Sequence, residues 1–96
     1  MGASLSTHVL DTAAGRPATG VHVELQRDGT TVAGGDTDGD GRLRLADELA
    51  PGTYGLVFLP PSPFFTRVEL QLELGEGHYH VPLLVSPYGC ATYRGS

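Results

Sequence analysis

The side chains best suited to chemistry are four histidines, His8, His22, His78 and His80, with a run of aspartates and the arginine that follows it. His78 and His80 lie two apart, so on an extended strand they share one face and Tyr79 takes the other. An imidazole with an ordinary pKa near ~6.5 gives or takes a proton near neutrality, which suits general acid–base work or metal ligation. Zinc would draw on the pair plus His8. Against it, the single cysteine, Cys90, lies in another segment, and no carboxylate sits at ligand spacing beside the pair.

Asp36-Thr37-Asp38-Gly39-Asp40-Gly41, with Asp47 beyond, nearly matches the spacing of an EF-hand calcium loop. The last ligand of such a loop should be a glutamate, and neither Ala33-Gly34-Gly35 nor Arg42-Leu43-Arg44 has the pattern of a flanking amphipathic helix. The segment reads instead as a β-turn whose aspartates cap backbone amides, with Gly39-Asp40-Gly41 aiming Arg42. No metal site is expected. Ser86 and Cys90 lack a strand-to-helix elbow, and no aspartate is placed to orient a histidine. A covalent serine or cysteine mechanism is therefore disfavoured. His22 falls on the polar face of its strand and reads as solvated.

The elements that must carry these residues are short strands. Leu5 to Leu10 alternates, with Leu5, Thr7 and Val9 on one face and Ser6, His8 and Leu10 on the other. A Gly- and Pro-punctuated loop follows, from Asp11 to Gly20. Val21, Val23 and Leu25 then face inward while His22, Glu24 and Gln26 face water. Asp28-Gly29 is a tight-turn pair that sends Thr30 to Ala33 back as a hairpin partner. Arg42 to Leu45, Thr53 to Leu59, Arg67 to Leu74, His78 to Val85 and Gly89 to Arg94 complete the set. Ala46 to Ala50 is the one stretch with a tendency towards a helical turn. Leu59-Pro60-Pro61-Ser62-Pro63 excludes both helix and central strand, because its prolines remove donors and fix φ. Seven or eight short strands separated by turns predict an all-β, two-sheet β-sandwich.

Composition narrows the function class. Ninety-six residues predict one domain spanning 1–96, and 40% hydrophobic with 18% charged residues is globular composition. A formal net charge of −5 without any basic run disfavours nucleic-acid and acidic-membrane partners. No apolar stretch approaches the ~20 residues of a spanning helix, and the first residues lack a signal-peptide pattern. One cysteine fits a reducing compartment, so a cytoplasmic location is expected. A small all-β domain has edge strands to hide and little core, which favours self-association.

Four segments together resemble the 5-hydroxyisourate hydrolases of the transthyretin-like family. They are Leu5-Ser6-Thr7-His8-Val9-Leu10-Asp11-Thr12 with Gly15-Arg16-Pro17-Ala18; Thr37-Asp38-Gly39-Asp40-Gly41-Arg42; Pro51-Gly52-Thr53-Tyr54; and His78-Tyr79-His80-Val81-Pro82 onward to Thr92-Tyr93-Arg94-Gly95-Ser96. The resemblance spans nearly the whole chain, and the closing Tyr-Arg-Gly-Ser is its most specific part. It implies a transthyretin-like sandwich of two four-stranded sheets, joined edge to edge into dimers and paired into a homotetramer with active sites in the channel between dimers. The implied reaction is hydrolysis of the cyclic amide of 5-hydroxyisourate, giving 2-oxo-4-hydroxy-4-carboxy-5-ureidoimidazoline in urate catabolism, with no cofactor. His8, Arg42 and His80 match the family's catalytic positions, and Tyr93 and Ser96 its substrate-binding terminus. Which histidine activates water stays open. The C-terminal carboxylate is expected to orient Arg94 or a histidine.

Two departures from the family stand out. Cys90 occupies a position usually held by tyrosine, and its packing loss is expected near the dimer contact. Leu59 to Phe65 is shorter than in homologues, with Thr66 in place of a proline, which predicts that the family's short helix is absent. The rival readings are a non-catalytic ligand-binding protein, as transthyretin is, and a structural β-sandwich module.

Overall fold

The computed structural model describes residues 2–96. Nine strands follow in order: β1 (Ala3–Asp11), β2 (Arg16–Pro17), β3 (His22–Arg27), β4 (Thr30–Asp36), β5 (Arg42–Leu49), β6 (Gly52–Leu59), β7 (Val68–Leu74), β8 (Gly77–Ser86) and β9 (Gly89–Thr92). They form two sheets. One runs β2-β1-β8-β9 with β5 also on β1, and the other runs β4-β3-β6-β7. β2 and β5 share one side of β1, β2 at Leu10 and Asp11 and β5 from Ala3 to His8. The first sheet is thus four strand positions wide, as expected for a two-sheet sandwich of this type. The ninth strand is the short β2, inside a segment the sequence suggested was wholly loop.

The alternation read from sequence governs the packing. Leu5, Thr7 and Val9 of β1 are buried, as are Val23 and Leu25 of β3 and Tyr54, Leu56 and Phe58 of β6. With Leu83 and Val85 of β8 they fill the space between the sheets. Each fully buried Leu, Val or Phe contributes about 1.5–3 kcal/mol by leaving water. Thr7 is the polar exception in this layer, and its hydroxyl donates to the Val81 carbonyl at 2.7 Å. That bond ties β1 to β8, which pair in parallel from Ala3–Gly77 to Asp11–Val85.

One local expectation is corrected. Ala46 to Ala50 does not form a helical turn; β5 continues to Leu49, with Ala46 opposite Leu5 and Leu49 opposite Ala3. Five residues cannot recover the cost of nucleating a helix, whereas pairing with β1 satisfies their backbone and packs Ala46 and Leu49 on the core. A register shift in that pairing and a positive φ at Glu48 absorb the irregularity.

No described residue is helical, and residues 60–67 cross between β6 and β7 without regular structure. Ser62 organises that crossing. Its hydroxyl oxygen accepts from the Phe64 and Phe65 amides at 3.1 and 2.9 Å, while its proton goes to the Pro87 carbonyl at 2.9 Å.

Candidate active site

The outer face of the first sheet collects the polar side chains of three strands. On β1 these are Ser4, Ser6 and His8, and the parallel register sets Ser4 beside His78 and Ser6 beside His80. Antiparallel pairing sets Arg44 beside Ser6 and Arg42 beside His8. A period of two turns the intervening Leu5, Thr7 and Tyr79 the other way.

The Asp-rich turn before β5 fixes how Arg42 and His8 enter this face. Asp38 Oδ1 accepts from the amides of Asp40 and Arg42, both at 2.9 Å, and these bonds hold its carboxyl below the usual carboxylate range. Gly41 has φ +74°, and a Cβ there would sit 2.5 Å from the Val9 carbonyl oxygen and 2.9 Å from Pro17 Cβ. Only glycine fits that approach. Beneath the turn, buried Thr37 donates to the Ala18 carbonyl at 2.7 Å and accepts from the Val21 amide at 2.9 Å. His8 Nε2 donates to the Asp40 carbonyl at 2.8 Å, since a carbonyl can only accept. Its Nδ1 therefore keeps a lone pair in the neutral ring.

The turn is a support, and the carboxylates of Asp36, Asp38 and Asp47 are committed elsewhere. Asp38 serves backbone amides, Asp36 meets His22 at 2.9 Å, and Asp47 is ion-paired to Arg44. Among the described residues no three His, Cys, Asp or Glu side chains are arranged to hold a metal ion.

His80 is part-buried. Its Nδ1 lies 2.8 Å from Ser6 Oγ, and its Nε2 has no protein hydrogen bond among the described residues. Burial, then the nearby Arg42, His8 and His78, lower its pKa from the ordinary value. Both effects favour the neutral ring. Arg42 makes neither an ion pair nor a side-chain hydrogen bond among the described residues. Both groups line one cavity of about 330 Å³ with Ser6, Arg44, His78 and Ser96.

The C-terminal segment reaches this cavity along the start of β8. Gly95 N donates to the His80 carbonyl at 2.6 Å, and His80 N donates back to a Ser96 backbone oxygen at 3.3 Å. Gly95 passes so close that a Cβ would stand 2.8 Å from His80 Cδ2. Arg94 Nε also donates to the Ser96 oxygen, at 3.0 Å, with its guanidinium 4.3 Å over the Tyr79 ring. That oxygen thus meets both Arg94 and the backbone of His80.

Of the five residues singled out from sequence, the fold brings His8, Arg42, His80 and Ser96 to one region of one face. Tyr93 does not join them within the single chain. It lines a separate apolar groove of about 560 Å³ at the open edge of the sandwich, with Leu70, Leu72, Tyr79 and Val81. Nothing in the local sequence marks Ser4, Ser6 or Gly95 as functional residues. Ser6 had been placed on the His8 face by alternation, but only the parallel pairing of β1 with β8, invisible in local pattern, brings it to His80. His22 also differs from expectation. Its two ring nitrogens meet Asp36 across the β3–β4 hairpin and Glu24 two residues along its own strand, both at 2.9 Å.

A β-sandwich with one parallel pair in its first sheet, carrying imidazoles and an uncommitted guanidinium on that sheet's outer face, is a transthyretin-type domain equipped for polar chemistry. Residues 5–95 match the model of the HIUase/Transthyretin family, and the chain belongs to that family. It is 44% identical to the 5-hydroxyisourate hydrolase of Mesorhizobium japonicum, over 99% of this chain and 94% of that protein. That alignment extends over 119 positions, more than the 96 residues of this chain, so the relative carries additional residues within the matched span. The solved structure of Klebsiella pneumoniae 5-hydroxyisourate hydrolase superposes with a TM-score of 0.89 at 40% identity, covering all of both chains. Sea bream transthyretin in complex with thyroxine superposes with a TM-score of 0.82 at 29% identity, covering 94% of this chain and 92% of that one.

Proposed function

We propose that this chain, as one domain over 1–96, hydrolyses 5-hydroxyisourate to 2-oxo-4-hydroxy-4-carboxy-5-ureidoimidazoline in urate catabolism. The observation that carries this reading is the single cavity lined by both His80, whose Nε2 has no protein hydrogen bond among the described residues, and the uncommitted Arg42 guanidinium. Water attacks the cyclic amide carbonyl as His80 Nε2 takes one of its protons. Arg42 donates to the oxygen that becomes negative, in the role of an oxyanion hole. Collapse breaks the ring C–N bond, the proton passes from His80 Nε2 to the departing nitrogen, and a carboxyl group is left. His8, anchored to the Asp40 carbonyl, presents Nδ1 to the same face. Ser96 supplies a polar contact to the ring, and no cofactor enters.

Tyr93 takes its substrate-binding role only in an assembled protein. The cavity is open on its outer side, and the groove holding Tyr93 lies at an edge where β7 and β9 leave backbone groups without neighbours. Edge-to-edge dimers that pair into a homotetramer cover both features. Light scattering reads this directly: the expected mass is four chains, and a monomer at micromolar concentration removes the assembly. A cytoplasmic location fits the single free cysteine and the absence, among the described residues, of a helix able to cross a membrane.

A thyroxine carrier is the competing reading, raised by the sea bream structure. The face bearing His8, Arg42, His78 and His80 is a poor host for an apolar iodinated ligand. Following the ultraviolet signal of freshly generated 5-hydroxyisourate separates the two. The expected result is decay well above the spontaneous rate, undiminished by added thyroxine; decay at the spontaneous rate with folded protein rejects the enzyme.

A further inference from the structure

Behind His80 runs a continuous line of alternating hydroxyl and imidazole groups that the hydrolysis scheme does not use. His80 Nδ1 is 2.8 Å from Ser6 Oγ, Ser6 Oγ is 3.1 Å from His78 Nε2, and His78 Nδ1 is 2.7 Å from Ser4 Oγ. The Ser4 end is exposed, whereas His80 is part-buried. Each group can both donate and accept, and each has one neighbour on either side. The line comes from the parallel β1–β8 register, which interleaves Ser4, His78, Ser6 and His80.

We infer that Ser6, His78 and Ser4 form a proton relay that sets the tautomer of His80 and carries its proton between the cavity and solvent. The inference rests on the hydrolase reading above. With both imidazoles neutral, only two arrangements satisfy every link. In the first, His80 Nδ1–H donates to Ser6, Ser6 O–H donates to His78 Nε2, and His78 Nδ1–H donates to Ser4. That leaves a lone pair on His80 Nε2, the base form. In the second, every donor is reversed, and His80 Nε2 carries the hydrogen, the acid form.

Proton transfer converts the first arrangement into the second. When His80 Nε2 takes a proton from water, its Nδ1 proton moves to Ser6 and the Ser6 hydroxyl proton moves to His78 Nε2. The His78 Nδ1 proton moves to Ser4, whose own hydroxyl proton leaves to solvent. One proton enters at the cavity, one exits at the surface, and no group holds a net charge afterwards. A transient positive charge on His78 is favoured by the Asp47 carboxylate, whose pKa is lowered first by its bond to Arg44 and in smaller part by His78. Arg44, opposite Ser6, opposes it, but its guanidinium is already paired with Asp47. Ser6 and His78 also line the cavity, but on this account they are positioning residues, because their part in the step is to act through His80.

The test measures kcat, KM and the solvent deuterium isotope effect in mixed light and heavy water for wild type, Ser6→Ala, Ser6→Thr and His78→Asn, each checked for fold by circular dichroism. Wild type should give a bowed proton inventory, the mark of several protons moving together. Ser6→Ala should lower kcat by about 10- to 100-fold, the lower part of what positioned proton transfer contributes, with KM nearly unchanged and the inventory linear. Ser6→Thr restores the hydroxyl and should recover kcat to within about threefold. His78→Asn should resemble Ser6→Ala, and it decides the matter if the alanine variant does not fold. Wild-type kcat and inventory in both Ser6→Ala and His78→Asn overturn the relay while leaving the hydrolase intact. Equal loss in the alanine and threonine variants overturns it in favour of packing. Absence of wild-type hydrolysis overturns both.

Discussion

At His80 burial acts in the same direction as its cationic neighbours. Removal from water disfavours the imidazolium, and Arg42, His8 and His78 add to that. A base must be unprotonated to act, so the sign of the pH effect follows. Activity that depends on neutral His80 persists below the ordinary histidine pKa of about 6.5 and fails only as pH falls through the lowered value. A profile of kcat/KM from about pH 5 to about pH 8 should place its acid limb below about 6.5; a limb above that value assigns the base elsewhere. Gly95 supplies a steric test of the same side chain. A methyl group placed 2.8 Å from His80 Cδ2 must displace either the ring or the terminal segment. Gly95→Ala should keep the fold and lose about 10-fold or more in kcat, since small misplacements of a catalytic group are costly. An alanine variant with wild-type kcat shows that the ring accommodates the methyl.

At the scale of elements, legibility followed the range of the interaction. Strand alternation is local, so the inward faces of β1, β3 and β6 were readable, with Thr7 among the apolar residues and His8 opposite them. The Asp28-Gly29 hairpin and the capped turn before Arg42 were readable because each is closed by residues a few positions apart. The parallel partnership of β1 and β8 joins residues more than seventy apart, and no local pattern announces it. Ser6 and Ser4 therefore carry no functional signal in sequence, although alternation gives the facing direction of Ser6. Grouping His8, Arg42, His80 and Ser96 as one site came from the family's motifs and not from spacing. His22 escaped for a related reason: its partner Asp36 lies across a hairpin, and a polar outward face looks solvated until the opposing carboxylate is in place.

That His22 cluster makes a prediction for the β3–β4 hairpin. Hydrogen bonds from Asp36 first and Glu24 second raise the pKa of His22, so the folded state binds its proton more tightly than the unfolded chain does. The resulting stabilisation is fully present below the unfolded value of about 6.5 and is lost as pH rises through the folded value. His80, with a lowered pKa, contributes with the opposite sign, so the comparison must be between wild type and His22→Ala. The gap in Tm between them should be widest in mild acid and narrow towards alkaline pH. A gap that is constant or grows with pH removes the ion-pair explanation.

For the molecule as a whole, the fold provides two sheets around one apolar core and places its polar chemistry outside that core. The catalytic candidates stand on the outer face of a sheet whose other face builds the sandwich, so the site can change without emptying the core. Phe58, Leu56 and Leu83 hold the sheets together and none of them touches the cavity. The crossing at residues 60–67 likewise adds no residue to the cavity's lining and is braced by Ser62. Neither that crossing nor Cys90 on β9 lines the cavity.

The central claim is that His80 and Arg42, converging on one cavity, open the cyclic amide of 5-hydroxyisourate. Its most direct test is kcat/KM at neutral pH for wild type, His80→Ala and Arg42→Ala, with fold and assembly confirmed for each. The predicted result is clear turnover by wild type, a loss of about 10²- to 10⁴-fold without the base, and a loss of about 10²- to 10³-fold without the guanidinium. Folded variants that turn over substrate as fast as wild type would contradict it.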